Sequence, residues 1–155
     1  MNTMTEEIAM SRIAGYCARS EHSQADVREK LKQWGVDSRA VDRIVEKLEA
    51  GNFIDDERFC RSFVNDKFRF NKWGRLKIGQ ALALRKIPSD MARRYLSEID
   101  EEEYIHVLQK LIEAKKRSVQ GKNQWDKEAK LIRFAAGRGF EIQYIKQCLK
   151  MQDDE

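Results

Sequence analysis

The stretch Val27, Leu31, Trp34-Gly35-Val36, continued by Val41, Ile44, Val45 and Leu48, returns 51 residues later as Ile78, Leu82, Arg85-Lys86-Ile87 with Ala92, Tyr95, Leu96 and Ile99. A weaker third copy, Leu131, Ala135, Arg138-Gly139-Phe140 with Ile145, Cys148 and Leu149, follows a further 53 residues on. A repeat of this period limits the fold severely, because a unit so short cannot bury its own apolar face and must stack on its neighbours. Three copies fill almost the whole of the 155 residues. The predicted fold is therefore all-α: three tandem three-helix repeats, at 1–54, 55–100 and 101–155, forming an elongated, curved array.

Local signals place the helices. A first one is expected around Ile8 to Ser20, with Ala9, Ile13, Tyr16 and Cys17 on its apolar face. Ser23 reads as an N-cap with Asp26 three residues on, and Asp37 or Ser38 caps the next helix, in which Val41, Ile44, Val45 and Leu48 keep the i, i+3, i+4, i+7 spacing. Gly51 is placed to take the left-handed conformation that closes it. Asp55-Asp56 caps the first helix of the second repeat, and Pro88-Ser89 separates that repeat's second and third helices. Glu101 to Glu103 open the third repeat. A polar loop from Lys115 to Gln124 precedes a helix running from Trp125 or Asp126 to Arg138.

Composition excludes several classes. Charged residues make up 36% of the chain and there is one proline, which fits helix formers and gives no sign of a sheet. No run of about 18 apolar residues offers a membrane span, and Glu6 and Glu7 stand where a secretory leader would be basic then apolar, so a cytoplasmic protein with no membrane partner is expected. Cys17, Cys60 and Cys148 are odd in number, lack C-x-x-C spacing and fall on apolar helical positions, as small buried hydrophobes do. His22 and His106 have no ligand partner three to five residues away and read as surface or cap residues. No phosphate cradle, zinc-protease motif or nucleophile elbow occurs. Asp55-Asp56 is the one carboxylate pair that invites a metal, but adjacent residues at a helix start do not converge on one ion. Neither a catalytic residue nor a cofactor is expected, and a binding protein is favoured over an enzyme.

The charge is segregated. Residues 1–57 hold 8 basic and 12 acidic side chains, whereas 58–94 hold 11 basic and 2 acidic, a net of +9 inside a chain whose total is only +4. The basic run Lys67, Arg69, Lys72, Arg75 and Lys77 is interleaved with Phe68, Phe70 and Trp73. One reading makes it a surface for phosphates, with an aromatic ring available to a base. The other puts Phe68 and Phe70 partly in the core and leaves the cations coating a solvated helix end; basic patches also meet acidic protein surfaces. A second cluster, Lys115-Lys116-Arg117 with Lys122, reads as a solvated loop. The signature apolar residues Phe59, Phe63, Val64, Ile78 and Leu82 follow helical spacing and are assigned to the core, where Phe63→Ala would destabilise by about 3–5 kcal/mol.

Gly51-Asn52-Phe53-Ile54-Asp55-Asp56-Glu57-Arg58-Phe59, then Phe63-Val64, Lys72-Trp73-Gly74 and Lys77-Ile78 with Leu82 and Ile87, resembles the signature of the RecX family of bacterial RecA regulators. Ala129-Lys130-Leu131-Ile132-Arg133-Phe134 and Arg138-Gly139-Phe140 extend the likeness into the third repeat. Two positions depart from the pattern. Lys86 stands where the family usually has glycine, so the helix before it is expected to lose its left-handed cap, or to keep it at about 0.5–1 kcal/mol. Trp73 stands where tyrosine is frequent, which keeps the ring and drops the hydroxyl.

The resemblance implies a monomeric, non-enzymatic regulator that docks in the groove of a RecA filament on single-stranded DNA and modulates, most often inhibits, ATP hydrolysis, strand exchange and coprotease action, with a role in DNA repair and the SOS response. Lys67, Arg69, Lys72, Arg75 and Lys77 are the expected contact surface, with Trp73 as a stacking or interface anchor or, equally, a plug between repeats. A helical protein that acts on DNA directly, without RecA, and a protein scaffold with no DNA role remain as alternatives.

Overall fold

A computed structural model describes residues 4–153, so the outermost ends of the first and third expected repeats, 1–3 and 154–155, lie outside the described residues. Among those described there are nine α-helices and no strand: α1 (Glu6–Arg19), α2 (Gln24–Gln33), α3 (Ser38–Ala50), α4 (Asp56–Arg69), α5 (Arg75–Leu84), α6 (Ser89–Ser97), α7 (Glu101–Lys116), α8 (Gln124–Gly137) and α9 (Ile142–Asp153). They form two compact units, Met1–Phe63 with Leu82–Met91, and Val64–Ala81 with Ala92–Glu155. The helices of the middle repeat thus contribute to both.

In the first unit the core is a single cluster running from Ala9, Ile13 and Cys17 of α1 through Val27 and Leu31 of α2 to Val41, Ile44, Val45 and Leu48 of α3, closed by Ile54. Each helix starts on a side-chain oxygen. Thr5 accepts from the Ile8 N–H, Ser23 from the Asp26 N–H at 3.0 Å, and Asp37 from the Arg39 and Ala40 N–H groups. Ser23 is fully buried, and its capping bond is what makes that burial tolerable. The first helix begins at Glu6, two residues earlier than periodicity implies, because Thr5 supplies the cap. Ion pairs Arg43–Glu6, Arg58–Glu21 and Arg28–Asp42 clip the surface; they are largely exposed, so each contributes little.

The second unit is built around Tyr104 of α7, which is fully buried. Phe68 lies 5.7 Å from it between ring centroids, Phe140 5.1 Å and Tyr144 5.4 Å. Leu108 and Ile112 of α7, Leu131 and Ala135 of α8, and Ile145 and Cys148 of α9 complete the buried positions at helical spacing. Burial pushes the Cys148 thiol up to about 11, which keeps it protonated and inert at neutral pH. Asn123 caps α8 by accepting from the Asp126 N–H, so that helix starts at Gln124.

One terminator recurs. At the end of α2, α5 and α8 a left-handed residue, Gly35 (φ 81°), Lys86 (φ 59°) and Gly139 (φ 96°), is followed by an N–H that reaches back five residues: Val36 to the Leu31 carbonyl, Ile87 to Leu82 and Phe140 to Ala135, at 3.1–3.2 Å. The lysine therefore keeps the cap, and of the two outcomes expected for it the strained one holds. At the end of α3 the expectation of a left-handed Gly51 is corrected. Gly51 sits at φ −88°, while Asn52 takes φ 60° and lets the Phe53 N–H reach the Leu48 carbonyl. The left-handed position thus falls one residue later than expected, and asparagine is the commonest non-glycine residue to accept that conformation.

Candidate nucleic-acid interface

The expected contact residues fall at the end of α4, in the turn after it and in the first turn of α5, and the backbone of that turn is fixed from two sides within the second unit. After α4 ends at Arg69 the chain turns through Lys72 at φ 57°, so that the Trp73 N–H donates back to the Lys67 carbonyl at 3.0 Å. The N–H groups of Gly74 and Leu76, which start α5 and have no partner inside their own helix, donate instead to the carbonyls of Arg138 (2.8 Å) and Gly139 (2.9 Å). Two parts of the family signature that lie 65 residues apart in sequence, Gly74 and Gly139, are thus one tertiary contact.

On that frame Lys67 and Lys77 bring their ammonium groups to the same indole. They lie 4.9 and 4.5 Å from the centroid of the half-buried Trp73 ring. Lys72 is exposed and donates to the Arg69 carbonyl at 2.6 Å, on the negative end of α4. Arg69 is exposed and 3.7 Å from Glu103. Phe68 is core, whereas Phe70 is 78% exposed, so the reading that puts both partly in the core holds for the first and not for the second: helical spacing turns Phe68 inward and releases Phe70 at the helix end. Phe63, expected in the core, is half-buried in the first unit with the Arg85 guanidinium 4.8 Å over its ring, which makes a full-burial penalty for its removal too large.

Arg75 stands apart from the other cations. Its side chain is only 16% exposed and stacks 3.9 Å over Tyr104, with ion pairs to Glu141 (3.5 Å) and Glu101 (3.8 Å) and a bond from Nε to the Leu96 carbonyl. Its backbone N–H donates to the Tyr104 hydroxyl at 2.9 Å, and that hydroxyl donates to Glu141. Burial first, then the Glu141 contact, pushes the Tyr104 phenol far above its ordinary range, so it stays protonated and acts as donor. Arg75 is held by the fold, and nothing local in the sequence distinguishes it from Lys72 three residues earlier.

Sequence reasoning missed Arg138, which packs against the α4–α5 turn. Its Nη1 reaches the Asn71 carbonyl at 3.4 Å and its guanidinium lies 5.3 Å from the Phe134 ring. The available signal was its place in the third copy of the repeat, beside the glycine on which Gly74 packs.

The signature pair Asp55-Asp56 is explained in the first unit by two different helix starts. Asp55 accepts from the Glu57 and Arg58 N–H groups of α4, whereas Asp56 accepts from the Gln24 N–H at the start of α2, at 2.9 Å. The carboxylates serve separate helices. Among the described residues no group of three or more His, Cys, Asp or Glu is arranged to hold a metal ion, and no helix is long and apolar enough to cross a membrane.

Sequence models of the first, second and third three-helix domains of RecX match residues 9–48, 55–96 and 101–149. The regulatory protein RecX of Prosthecochloris aestuarii is 32% identical over 142 residues, which cover 91% of each chain. Two crystal structures share the fold. One, of a regulatory protein RecX, has a TM-score of 0.85 at 21% identity over 94% of this chain and 71% of that one; the other, RecX from Lactobacillus salivarius, has 0.85 at 17% over 97% of both. With three consecutive three-helix domains matched in order and a relative this similar over nearly its full length, the chain belongs to the RecX family of regulatory proteins.

Proposed function

We propose that this protein is a non-enzymatic regulator that binds the RecA filament on single-stranded DNA and inhibits RecA's ATPase, recombinase and coprotease activities. Family membership supports the class of activity. The observation that carries the site is the gathering of Lys67 and Lys77 on the Trp73 ring, beside an exposed Lys72. Among the described residues neither Lys72 nor Lys77 forms an ion pair with a carboxylate, so their charge is open to a partner. Such cations displace condensed counterions from phosphates or meet acidic patches on protein.

Lys67, Arg69, Lys72 and Lys77 are the contact residues in this reading, Trp73 is the ring that holds two of them, and Arg75 positions the segment. Three repeats, taken as 1–54, 55–100 and 101–155, offer several individually weak contacts that reinforce one another by effective concentration along a filament. A cytoplasmic monomer without a cofactor is sufficient for this role. The test is RecA ATPase on single-stranded DNA, measured at concentrations of this protein that leave bare single-stranded DNA unbound. Suppression there supports a RecA partner, and suppression that only tracks DNA occupancy overturns it in favour of direct action on DNA.

A further inference from the structure

Helices α1 to α4, α7 and α8 each start on a side-chain oxygen of the residue just before them, from Thr5 to Asn123. Helix α5 cannot start that way. Gly74 stands at that position and offers no side chain, the first turn holds no acidic residue, and Arg75 and Lys77 put two cations at the positive end of the helix. The start is imposed instead by α7 and the turn between α8 and α9. The Gly74 N–H donates to the Arg138 carbonyl at 2.8 Å, the Arg75 N–H to the Tyr104 hydroxyl at 2.9 Å and the Leu76 N–H to the Gly139 carbonyl at 2.9 Å. Glu141 and Glu101, 3.5 and 3.8 Å from the Arg75 guanidinium, supply the carboxylates that the turn itself lacks.

The consequence falls on Lys77. It is the third residue of α5, so its ammonium stays 4.5 Å from the Trp73 ring only while that first turn is helical. Of the three acceptors that hold the turn, two are backbone carbonyls and one is a side chain, the Tyr104 hydroxyl. That hydroxyl donates to Glu141, which fixes its orientation and leaves its lone pairs for the Arg75 N–H. Tyr104 is fully buried and the Glu141 side chain is 18% exposed, so neither is placed to touch a macromolecular partner. Removing the hydroxyl strands the Arg75 N–H away from water, and a helix start without local support opens first.

We infer that Tyr104 and Glu141 are positioning residues for RecA suppression: they impose the start of α5 and so hold Lys77 in its working place, without meeting the partner themselves. This rests on the reading of the Lys67–Lys77 segment as the partner-facing surface. It deepens that reading by making the geometry of the segment depend on α7 and on the residue that precedes α9.

The experiment is a double-mutant cycle on suppression of RecA ATPase, with Tyr104→Phe, Lys77→Gln and the two combined in the full chain, together with hydrogen exchange of the backbone amides. Tyr104→Phe keeps the ring and removes only the hydroxyl. It is expected to speed exchange at Arg75 and Leu76 by about tenfold or more, while the amides of α7 and α9 exchange as in the parent. It also raises the concentration that half-suppresses RecA, and in the combined variant the two losses overlap, falling short of their product by more than about twofold. Glu141→Gln keeps an acceptor for the hydroxyl and removes the charge, and gives the same pattern more weakly. Ile112→Val, a change in the core of the same unit away from α5, lowers the melting temperature and leaves the half-suppressing concentration at the parent's value. Losses that simply multiply in the combined variant overturn the assignment, as does parent-like exchange at Arg75 and Leu76 in Tyr104→Phe, or an Ile112→Val protein that loses as much suppression. A parent protein that does not suppress RecA overturns the proposed function instead, and the exchange pattern then decides alone whether Tyr104 and Glu141 set the turn.

Discussion

Gly74 and Gly139 touch backbone to backbone. A Cβ built on Gly74 would stand 2.4 Å from the Gly139 carbonyl carbon and 2.5 Å from the Phe140 nitrogen, and one built on Gly139 would stand 2.4 Å from the Lys77 Cβ. Neither neighbour is the free end of a side chain, so the two turns would have to separate, and with them the bonds from the Gly74 and Leu76 N–H groups. Gly74→Ala is expected to destabilise by about 3 kcal/mol, at the upper end for overpacking. Gly139→Ala adds left-handed strain at φ 96° to the same clash and is expected to be worse. Urea unfolding of the two variants checks the order.

The paired aspartates give a second prediction. Because Asp55 caps α4 and Asp56 caps α2, Asp55→Ala and Asp56→Ala should each lower stability by about 1 kcal/mol. Asn at either position should restore most of the loss, since an amide oxygen also accepts from a helix N–H. A metal role would instead show as a melting temperature that rises with divalent cation in the parent and not in the variants.

Lys86→Gly is expected to stabilise. The lysine holds φ 59° while its N–H and that of Ile87 satisfy the last carbonyls of α5, and glycine adopts this conformation without the steric penalty of a Cβ. The gain should be about 0.5–1 kcal/mol, reduced by the extra freedom of glycine in the unfolded chain. Lys86→Ala keeps the Cβ and should change little, which separates backbone strain from the loss of the charge.

Helices, caps and the buried stripes were legible because they are written in spacings of three and four residues and in short-range cap chemistry. Ser23, Asp37 and the Val41–Leu48 stripe are of this kind. What was not legible depends on contacts distant in sequence. Arg75 and Lys72 look equivalent in a basic run, yet Tyr104 and Glu141, 29 and 66 residues away, bury the first and leave the second exposed. Asp56 reads as part of its own helix cap until Gln24 is brought to it from 32 residues upstream. Lys115 and Arg138, 23 residues apart, are brought to the two sides of one ring, Phe134, which no local spacing indicates.

His22 makes stability depend on pH near neutrality. It stacks on Tyr16 at 3.9 Å, its Nε2 is 3.0 Å from the Ser20 hydroxyl, and burial holds its pKa below the ordinary 6.5 against the opposing pull of Asp26 and Glu21. The unfolded chain therefore takes up the proton first. Stability is full above pH 6.5 and falls as pH drops below it, so the urea midpoint should decline on acidification from that point. His22→Gln should flatten that decline. Glu6, whose pKa is lowered chiefly by its bond from Arg43, acts in a separate window, losing its contribution as pH falls below 4.5.

Arg75 and Lys72 should fail in opposite ways when neutralised. Arg75→Gln strips a cation that is 16% exposed from between Glu141 and Glu101 and from the face of Tyr104, leaving Glu141 without its charge partner in a largely buried position. Removing one member of such a pair costs about 3 kcal/mol, so the variant should unfold at lower urea. Filament affinity of the fraction still folded, and the salt dependence of that affinity, should stay near the parent's. Lys72→Gln touches only solvent and the end of α4, and should alter stability by less than about 0.5 kcal/mol. If Lys72 meets a DNA phosphate, that variant's slope of log affinity against log salt should be shallower by about 0.7 on single-stranded DNA. A Lys72→Gln protein with parent-like slope and a destabilised fold would reverse the two assignments, and would move the contact surface away from the α4–α5 turn.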